Sequence, residues 1–339
     1  MTLATKADEI SDIAFGFMGS KALFAALQLE VFTHLADGPL DAGDLARKAG
    51  VHHDRAQTLL TALASLGLVE PRADGRYANA PASQAFLVHG AKYDFGDYLR
   101  LQVGRQMYGL LDQIENALQG RMEEGDTASY AEWFSDPEEA RLYSESQHAG
   151  SLGPARQLSG ALDLKGARRM LDVGGGTGAF AITLCKDNPD LSATIVEFPN
   201  VAKLGDEYVE KAGLSDRISY IMGNALETDW PGEQDVILMS YLLSGVPGEA
   251  HVDLIRRAYD RLAPGGRLLI HDFVVEKDRS GPKLAALWQL QHTAFTPEAR
   301  SLDAGWLDVA LDEIGFKDVQ VAPLIPKMTM LAQGIKPAG

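Results

Sequence analysis

The sequence is poor in cysteine and in basic residues, and both shortages exclude kinds of site. Cys185 is the single cysteine among 339 residues, so it can form neither an internal disulfide nor a cysteine-built metal centre. Acidic residues outnumber basic ones by 47 to 31, giving a net charge of -16. Because phosphate binding needs a basic face, this balance argues against a nucleic-acid partner. A single cysteine fits a reducing compartment, so we expect a cytoplasmic protein. His52 and His53 lack a third ligand, so we expect no metal.

The N-terminus lacks an obvious uncharged run, since Lys6, Asp8 and Glu9 lie close together. We therefore expect neither a signal peptide nor a membrane span. Apolar residues at helical spacing follow from about Ile10 to His34. They include more large side chains than one modest helix needs within its own domain: Phe15, Phe17, Met18 and Phe24. Such helices often pack against another subunit, which predicts a homodimer, with an ordinary core face as the alternative.

The length predicts two domains, 1–95 and 96–339, the second with a helical cap over 96–160 and a core over 161–339. Residues 41–77 predict two helices that meet at Gly50 and a hairpin, the order of a winged helix-turn-helix. Its would-be recognition helix carries Arg55 as its only cation, and acidic residues cancel the other basic ones. We therefore predict a winged-helix dimerisation domain rather than a DNA-binding one.

A glycine-rich turn organises the second domain. Apolar residues from Met170 to Val173 predict a buried strand, glycines at alternate positions follow, and a helix begins near Ala179. The alternate positions are Gly174, Gly176 and Gly178. Glycines let the backbone approach a ligand closely, and the helix N-terminus points its N–H groups at it. Asp172 at the strand end would gain nothing from a pyrophosphate, but it would form a charge-assisted hydrogen bond with an ammonium group.

Strands and helices then alternate, as a parallel sheet requires. Further strands are expected over 193–197, 218–223, 235–240 and 267–272, with closing antiparallel strands over 319–321 and 328–334. Glu197 follows the glycine turn by about 20 residues, where a carboxylate accepts hydrogen bonds from a ribose diol in several nucleotide sites. The expected fold is a Rossmann-like α/β sheet.

The Asp-x-Gly-x-Gly-x-Gly motif and the Leu262-Ala-Pro-Gly-Gly turn resemble those of class I S-adenosylmethionine (SAM) methyltransferases. The resemblance implies SAM as the cofactor. Its implied contacts are Asp172, Gly174, Gly176, Gly178, Glu197, Asn224, Ala225 and Ser240. Asn224 would touch the adenine.

From about residue 10 onward the chain resembles the two-domain O-methyltransferases, which usually carry a catalytic histidine after the fourth strand. Ser244 occupies that position here. A hydroxyl acceptor must lose a proton, and a positioned base contributes on the order of a hundredfold or more to that step. A thioether sulfur has no proton to lose, so it needs alignment but no base.

The missing base and three stretches, 241–245, 288–295 and 296–301, resemble the bacterial S-methyltransferases of dimethylsulfoniopropionate (DMSP) synthesis, the DsyB family. That resemblance implies S-methylation of 4-methylthio-2-hydroxybutyrate. The chain also resembles a bacteriochlorophyll-ring C-methyltransferase that lacks the histidine. An O- or C-methyltransferase of a secondary metabolite or tetrapyrrole, with His271 as a displaced base, is the alternative, and a SAM-binding winged-helix regulator is the third interpretation.

Candidate substrate contacts come from the helical cap and from the strand ends. They are Tyr108, Tyr143, Gln147, His148, Tyr241, Trp288 and His292. Aromatic faces among them could stabilise a sulfonium. A substrate carboxylate calls for an arginine or for neutral donors. The candidate arginines are Arg100, Arg105, Arg141 and Arg300. His148 and His292 share the ambiguity of His271 between a structural role and a base.

Overall fold

The computed structural model describes residues 3–122, 130–296 and 298–338, apart from the side chains of Glu132 and Phe295. Pro297, part of the stretch 296–301 quoted above, lies outside the described residues. The chain divides into two compact units, Met1–Tyr108 and Gly109–Gly339. The helix Tyr98–Met107 packs on the first helix, and the rings of Phe24 and Tyr108 are 6.0 Å apart. The domain boundary after residue 95 stays a prediction.

The first unit is mostly helical. Its elements are α1 Ala7–Gln28, α2 Val31–His34, α3 Ala42–Ala49, α4 His53–Ser65, β1 Val69–Pro71, β2 Tyr77–Asn79, α5 Pro81–Phe86 and the π-helix Tyr98–Met107. Asp41 caps α3 by accepting a hydrogen bond from the Asp44 N–H at 2.8 Å, and Gly50 ends it at a φ of 68°. The strands β1 and β2 pair antiparallel. The expected order of helices and hairpin is present, and the name winged helix stays a prediction.

The second unit contains a seven-stranded sheet with the order β5-β4-β3-β6-β7-β9-β8. Its helices are α6 Tyr108–Leu110, α7 Ile114–Leu118, α8 Tyr130–Trp133, α9 Pro137–Ala161, α10 Ala179–Asp187, α11 Pro199–Lys211, α12 Ala250–Arg261, α13 Lys283–Phe295 and α14 Ala304–Ile314. Its strands are β3 Arg169–Val173, β4 Ser192–Glu197, β5 Ile218–Met222, β6 Gln234–Ser240, β7 Leu262–Asp272, β8 Lys317–Ile325 and β9 Thr329–Ile335. Short 3-10 turns cover Leu111–Gln113 and Leu243–Gly245.

The five strands β3 to β7 run parallel, and β9 joins β7 antiparallel. The expected α/β sheet is thereby confirmed. Strands covered by helices on both faces are apolar along their length: Leu171 and Val173 face one core cluster, whereas Met170 faces the other. β3 pairs with β4 on one side and with β6 on the other, so the chain order reverses at β3. Ligands of such sheets bind at this reversal, beyond the carboxyl ends of the strands.

The helix α1 exposes a row of large apolar side chains. Ile13 is 71% exposed and Phe17 is 52% exposed. By length and composition alone this helix could cross a membrane, although only 11% of the relevant window is buried. The absence of a membrane span, expected from the charges at residues 6–9, stays a prediction. One such helix is weak evidence for a membrane, and an exposed apolar row equally suits contact between subunits.

We predict that Ile13→Glu combined with Phe17→Glu weakens self-association, because two charges would be buried in any interface that covers this row. Analytical ultracentrifugation over a concentration series should show the variant shifted toward the monomer. Val309→Glu on α14, which is 54% exposed in the native chain, is the matched control and should leave the oligomeric state unchanged. An unchanged oligomer accompanied by loss of binding to lipid vesicles would contradict the prediction and point to a membrane instead.

We also predict opposite effects of alanine at two helical glycines. A side chain at Gly205 on α11 would overlap the ring of Tyr220 on β5, whereas one at Gly153 on α9 would meet nothing. Gly205→Ala should therefore lower the free energy of unfolding by about 1–3 kcal/mol, and Gly153→Ala should raise it by about 0.4–1 kcal/mol. Urea unfolding followed by circular dichroism measures both, and equal effects of the two changes would contradict this prediction.

Candidate functional site

The glycine turn between β3 and α10 has the backbone that its sequence predicts. Gly174, Gly176 and Gly178 have φ values of 67°, 58° and 78°, which favour glycine. The intervening Gly175 has no room for a side chain, since a Cβ there would lie 2.6 Å from the Cγ of Asp172. The turn therefore lies directly over the Asp172 carboxyl group.

Two carboxyl groups are buried around this turn. Asp172 is 1% exposed, and neither of its oxygens makes a hydrogen bond of ordinary geometry with a described residue. Burial and the charge of Glu197 raise the pKa of Asp172 to about 7, an effect that the Ala181 N–H offsets only in part. Glu197 accepts hydrogen bonds from the N–H groups of Gly176 at 2.8 Å and Phe198 at 2.7 Å, yet burial raises its pKa to about 7 as well.

A cavity of about 550 Å³ opens at the reversal point. Of the residues that the SAM resemblance implied, those in its wall are Gly174, Gly176, Glu197, Asn224, Ala225 and Ser240. Asp172 lies beneath the turn, and Gly178 faces Ile195 and Tyr220 instead. The Asn224 side-chain oxygen accepts a hydrogen bond from the Leu226 N–H at 3.0 Å, which fixes the amide at the cavity edge. The individual ligand contacts of these residues stay predictions.

The charges of this cavity suit a cation. Its described lining includes the carboxyl groups of Glu197 and Glu298 and no lysine or arginine. Asp172, unpaired and covered by the turn, adds a third carboxyl group close by. SAM combines a sulfonium, an ammonium group and a ribose diol, which are groups that carboxylates and exposed N–H groups bind well. The residues present therefore fit SAM.

A residue with a strained backbone directly follows β6 at the cavity wall. Tyr241 has a φ of 56°, which is uncommon for a bulky residue and costs on the order of 1–3 kcal/mol. Its N–H donates to the His271 carbonyl at 2.8 Å, and its ring contacts the His271 ring at a centroid distance of 4.6 Å. Surrounding contacts thus hold Tyr241 in place at the edge of the cavity.

His271 itself is fully buried on β7 and is absent from the described lining of the cavity. Its Nδ1 lies 2.9 Å from the Ser240 hydroxyl, and its Nε2 lies 2.9 Å from the Thr329 hydroxyl. Burial lowers the pKa of His271 to about 3, so the ring is neutral at pH 7. Both ring nitrogens are therefore engaged within the core, and the geometry gives His271 the role of a structural link between β6, β7 and β9.

Ser244 stands where a catalytic histidine was expected from the family pattern, and it is 3% exposed. Its N–H donates to the Asp272 carboxylate at 3.0 Å, and its carbonyl accepts a hydrogen bond from Nδ1 of His292. Burial raises the pKa of Asp272 to about 6, and the hydrogen bonds of the Ser244 segment oppose that rise. Ser244 is thus an anchored backbone position, and it does not line the cavity that holds Glu197.

The predicted substrate contacts divide into three groups. Tyr143, Gln147, His148 and Tyr241 line the cavity. Trp288 stacks on Phe273 at 4.4 Å, and neither Trp288 nor His292 is in the described cavity lining. Tyr108 belongs to the first unit, where Lys21 Nζ lies 3.8 Å from its ring centroid.

The arginines predicted to bind a substrate carboxylate are also absent from the described lining of this cavity. Arg100 pairs with Asp97 at 2.7 Å in the first unit, to which the exposed Arg105 also belongs. Arg141 pairs with Glu145 and Glu207. Arg300 lines a different cavity. An anion entering the cavity beside Glu197 would therefore meet only neutral donors among its described residues.

Sequence reasoning missed an aromatic cluster on one side of the cavity. The cluster consists of Tyr130, Trp133, Phe134, Tyr143 and Phe198. Tyr143 contacts Trp133 at 4.9 Å and Phe134 at 5.0 Å, and every member except Trp133 lines the cavity. The dense aromatic spacing of residues 130–134 was the available signal. Aromatic faces of this kind stabilise cations.

His148 is the one histidine in the described cavity wall. Its Nδ1 lies 2.7 Å from the Thr177 hydroxyl, and its ring stacks on Tyr208 at 3.9 Å. Burial, with a smaller contribution from Lys186, lowers the pKa of His148 to about 4. The imidazole is therefore neutral at pH 7 and is a weak base.

Two protein-family models match the chain. The O-methyltransferase domain matches residues 117–317, and the O-methyltransferase dimerisation domain matches residues 11–89. Among curated relatives, the 3-hydroxy-5-methyl-1-naphthoate 3-O-methyltransferase of Streptomyces sahachiroi is 33% identical over 83% of this chain and 81% of its own length. The N,N-dimethyltransferase OxyT of Streptomyces rimosus is 28% identical over 92% of this chain and 91% of its own.

A solved structure shows the same fold. Human N-acetylserotonin methyltransferase in complex with SAM superposes with a TM-score of 0.83 at 24% identity, covering 99% of this chain and 100% of that one. The dimerisation model supports the predicted homodimer. Because the catalytic-domain model spans more than half of the sequence and a relative exceeds 30% identity, this protein belongs to the O-methyltransferase family of SAM-dependent methyltransferases.

Proposed function

We propose that this enzyme methylates an acceptor atom that needs no deprotonation, with the sulfur of a small thioether hydroxy acid as the first candidate. The observation that carries the proposal is the lack of a histidine suited to act as the general base in the described cavity wall. Ser244 replaces the usual histidine, His271 is enclosed in the core, and His148 has a pKa of about 4. A phenol with a pKa of about 10 would lose its proton to such a group only at great cost.

The charge of the cavity also supports an acceptor that needs no deprotonation. Methylation of a thioether sulfur creates a sulfonium, whereas O-methylation passes through an alkoxide or phenolate. The carboxyl groups of Glu197 and Glu298 and the rings of Tyr130 and Tyr143 favour a cation and disfavour an anion. A neutral acceptor that becomes a cation therefore suits this environment best.

The proposed cofactor site is built from residues in and beneath the wall of the same cavity. When bound, SAM supplies an electrophilic methyl group carried on a sulfonium. Under the proposal, Asp172 and the turn from Gly174 to Gly176 bind the methionine part of SAM. Glu197 accepts hydrogen bonds from the ribose hydroxyls, and Asn224 contacts the adenine. Ser240 and Tyr241 form the wall between this part of the cavity and the core. Their role is to orient the ligands and exclude water.

The size of the cavity supports a small acceptor. About 550 Å³ must accommodate the cofactor and the acceptor together, and pockets for one drug-sized ligand span roughly 300–1,000 Å³. The compound 4-methylthio-2-hydroxybutyrate has the required size and a thioether. The named relatives methylate oxygen or nitrogen, however, so they give no support to a place in DMSP synthesis.

The second candidate is O-, N- or C-methylation of a secondary metabolite, and the relatives favour it. A naphthoate oxygen and an amine nitrogen are the acceptors that their names imply. An amine shares with a thioether the advantage of becoming a cation. An oxygen or carbon acceptor needs a base, and the geometry of His271 gives no support to a displaced one. Membership of an enzyme family favours either candidate over a SAM-binding regulator.

We predict that Asp172→Asn stabilises the ligand-free protein at pH 8 and weakens SAM binding. Because folding raises the pKa of Asp172 from 3.8 to about 7, the folded state binds the proton more tightly, and stability falls as pH rises from about 4 to about 7. The neutral amide removes that loss, so the melting temperature at pH 8 should rise by a few degrees. Thermal unfolding at pH 5 and pH 8 measures this effect.

Calorimetry with SAM should show at least a tenfold loss of affinity in the same variant, since a charge-assisted hydrogen bond contributes about 1.5–3 kcal/mol. Asp308→Asn, a change of an exposed carboxylate on α14, is the matched control and should alter neither quantity. A variant with unchanged affinity and unchanged stability at pH 8 would contradict the assigned position of Asp172.

We predict turnover of 4-methylthio-2-hydroxybutyrate, and none of a simple catechol, in an assay of S-adenosylhomocysteine release. At saturating SAM the rate should vary little between pH 7 and 9, because no proton leaves the acceptor. His148→Gln should lower this rate by less than tenfold, whereas loss of a true general base costs about 10²–10⁴-fold. His271→Gln tests the second histidine in parallel.

Turnover of the catechol alone, abolished by either histidine change, would overturn the base-free proposal in favour of an O-methyltransferase with a displaced base. Turnover of an amine acceptor with no histidine dependence would retain the base-free reaction and replace sulfur by nitrogen.

A further inference from the structure

A tyrosine that is absent from the described cavity lining binds the glycine turn from β5. The hydroxyl of Tyr220 donates a hydrogen bond to the Gly176 carbonyl at 3.1 Å. The N–H of the same glycine donates to the Glu197 carboxylate, at the end of β4, at 2.8 Å. Both backbone polar groups of Gly176 are therefore fixed by side chains, one from each of two neighbouring strands.

Two glycines leave room for this phenol. A Cβ at Gly205 on α11 would overlap the Tyr220 oxygen, and a Cβ at Gly178 would lie 3.0 Å from it. Gly205 lies inside a helix, where glycine is less favourable than alanine. The need for space around the Tyr220 hydroxyl explains the glycine at that position.

The Tyr220 phenol keeps its proton at neutral pH. Burial raises its pKa above the ordinary value, and the charges of Asp172, Glu197 and Asp206 raise it further. The Gly176 carbonyl can only accept a hydrogen bond, so the protonated hydroxyl is the donor. The contact between β5 and the turn is thus present over the whole neutral range of pH.

The hydrogen bond from Tyr220 also fixes the direction of a second group. The Gly176 carbonyl and the Thr177 N–H belong to one trans peptide unit, so they point in opposite directions. Because the carbonyl points at Tyr220, the Thr177 N–H points away from that side chain. Thr177 lines the cavity at the reversal point, and its N–H makes no hydrogen bond of ordinary geometry with a described residue.

The methionine part of SAM carries a carboxylate as well as an ammonium group. The described lining of the cavity contains no lysine or arginine to bind that carboxylate. A backbone N–H group forms a charge-assisted hydrogen bond with a carboxylate, provided that it is held in the right direction. The Thr177 N–H is a donor of this kind in the turn that the proposed cofactor site assigns to the methionine part.

We propose that Tyr220 is a positioning residue for the cofactor: by binding the Gly176 carbonyl, it directs the Thr177 N–H at the carboxylate of SAM. This inference rests on one part of the proposed function, the placement of the methionine part against the glycine turn, and is independent of the acceptor. Asp172 then recognises the ammonium group, and the Thr177 N–H recognises the carboxylate. Without the Tyr220 hydroxyl the peptide unit can rotate, and the donor is no longer preorganised.

Two ligands that differ only in the carboxylate test this role without any acceptor. Decarboxylated SAM retains the sulfonium, the ammonium group and the adenosine of SAM. Calorimetry on the full chain should show that Tyr220→Phe weakens SAM binding by about three- to tenfold and changes the affinity for decarboxylated SAM by less than about twofold. Gly205→Ala, which displaces the phenol and leaves its hydroxyl present, should reduce the preference for SAM in the same direction.

Tyr259→Phe is the matched control. The Tyr259 hydroxyl also lies beside a glycine, since a Cβ at Gly315 would be 3.2 Å from it, and Tyr259 is absent from the described cavity lining. This variant should bind both ligands as the native chain does. Equal weakening of both ligands by Tyr220→Phe would reduce Tyr220 to a general structural role and overturn the proposal, and so would native-like binding of both.

Asp172→Asn separates this inference from the proposed cofactor site. Both ligands carry the ammonium group, so this variant should bind both of them more weakly. Unchanged affinities in Asp172→Asn, with the selective loss in Tyr220→Phe intact, would count against the role of Asp172 alone. Weakening of both ligands by Asp172→Asn, without a selective loss in Tyr220→Phe, would overturn the role of Tyr220 and leave the proposed function in place.

Discussion

A buried carboxyl group with no hydrogen bond of ordinary geometry is the constraint on which the ligand-facing edge of the sheet depends. Asp172 lies under the glycine turn, beside Glu197, with no ordinary hydrogen bond to lower the cost of its charge. The turn passes so close above this carboxyl group that Gly175 admits no side chain. A buried unpaired acid is costly in the free protein, and a cation in the cavity offsets the cost. Stability is thus reduced at the position where affinity for a cationic cofactor is needed.

The same excess of carboxyl groups limits which methyl acceptors suit the cavity. A site arranged to hold one cation favours a product that is a second cation, and it resists the formation of an oxyanion without a base. Ser244 removes the base, while its backbone still anchors the segment through Asp272 and His292. The Ser244 segment therefore keeps its place in the fold without the histidine. The relatives are named for oxygen and nitrogen acceptors, so the same architecture serves more than one kind of acceptor atom.

Much of the catalytic sheet could be predicted because it depends on local signals. Runs of apolar residues predict β3 and β6, and the glycines predict the turn. Each of these patterns lies within a few residues of the structure that it predicts. The surroundings of His271 could not be predicted, because its partners Ser240 and Thr329 come from distant strands. Trp288 has an aromatic side chain suited to a pocket, yet it stacks on Phe273. Sequence shows which side chains can do chemistry, but packing between distant elements decides which of them reach a cavity.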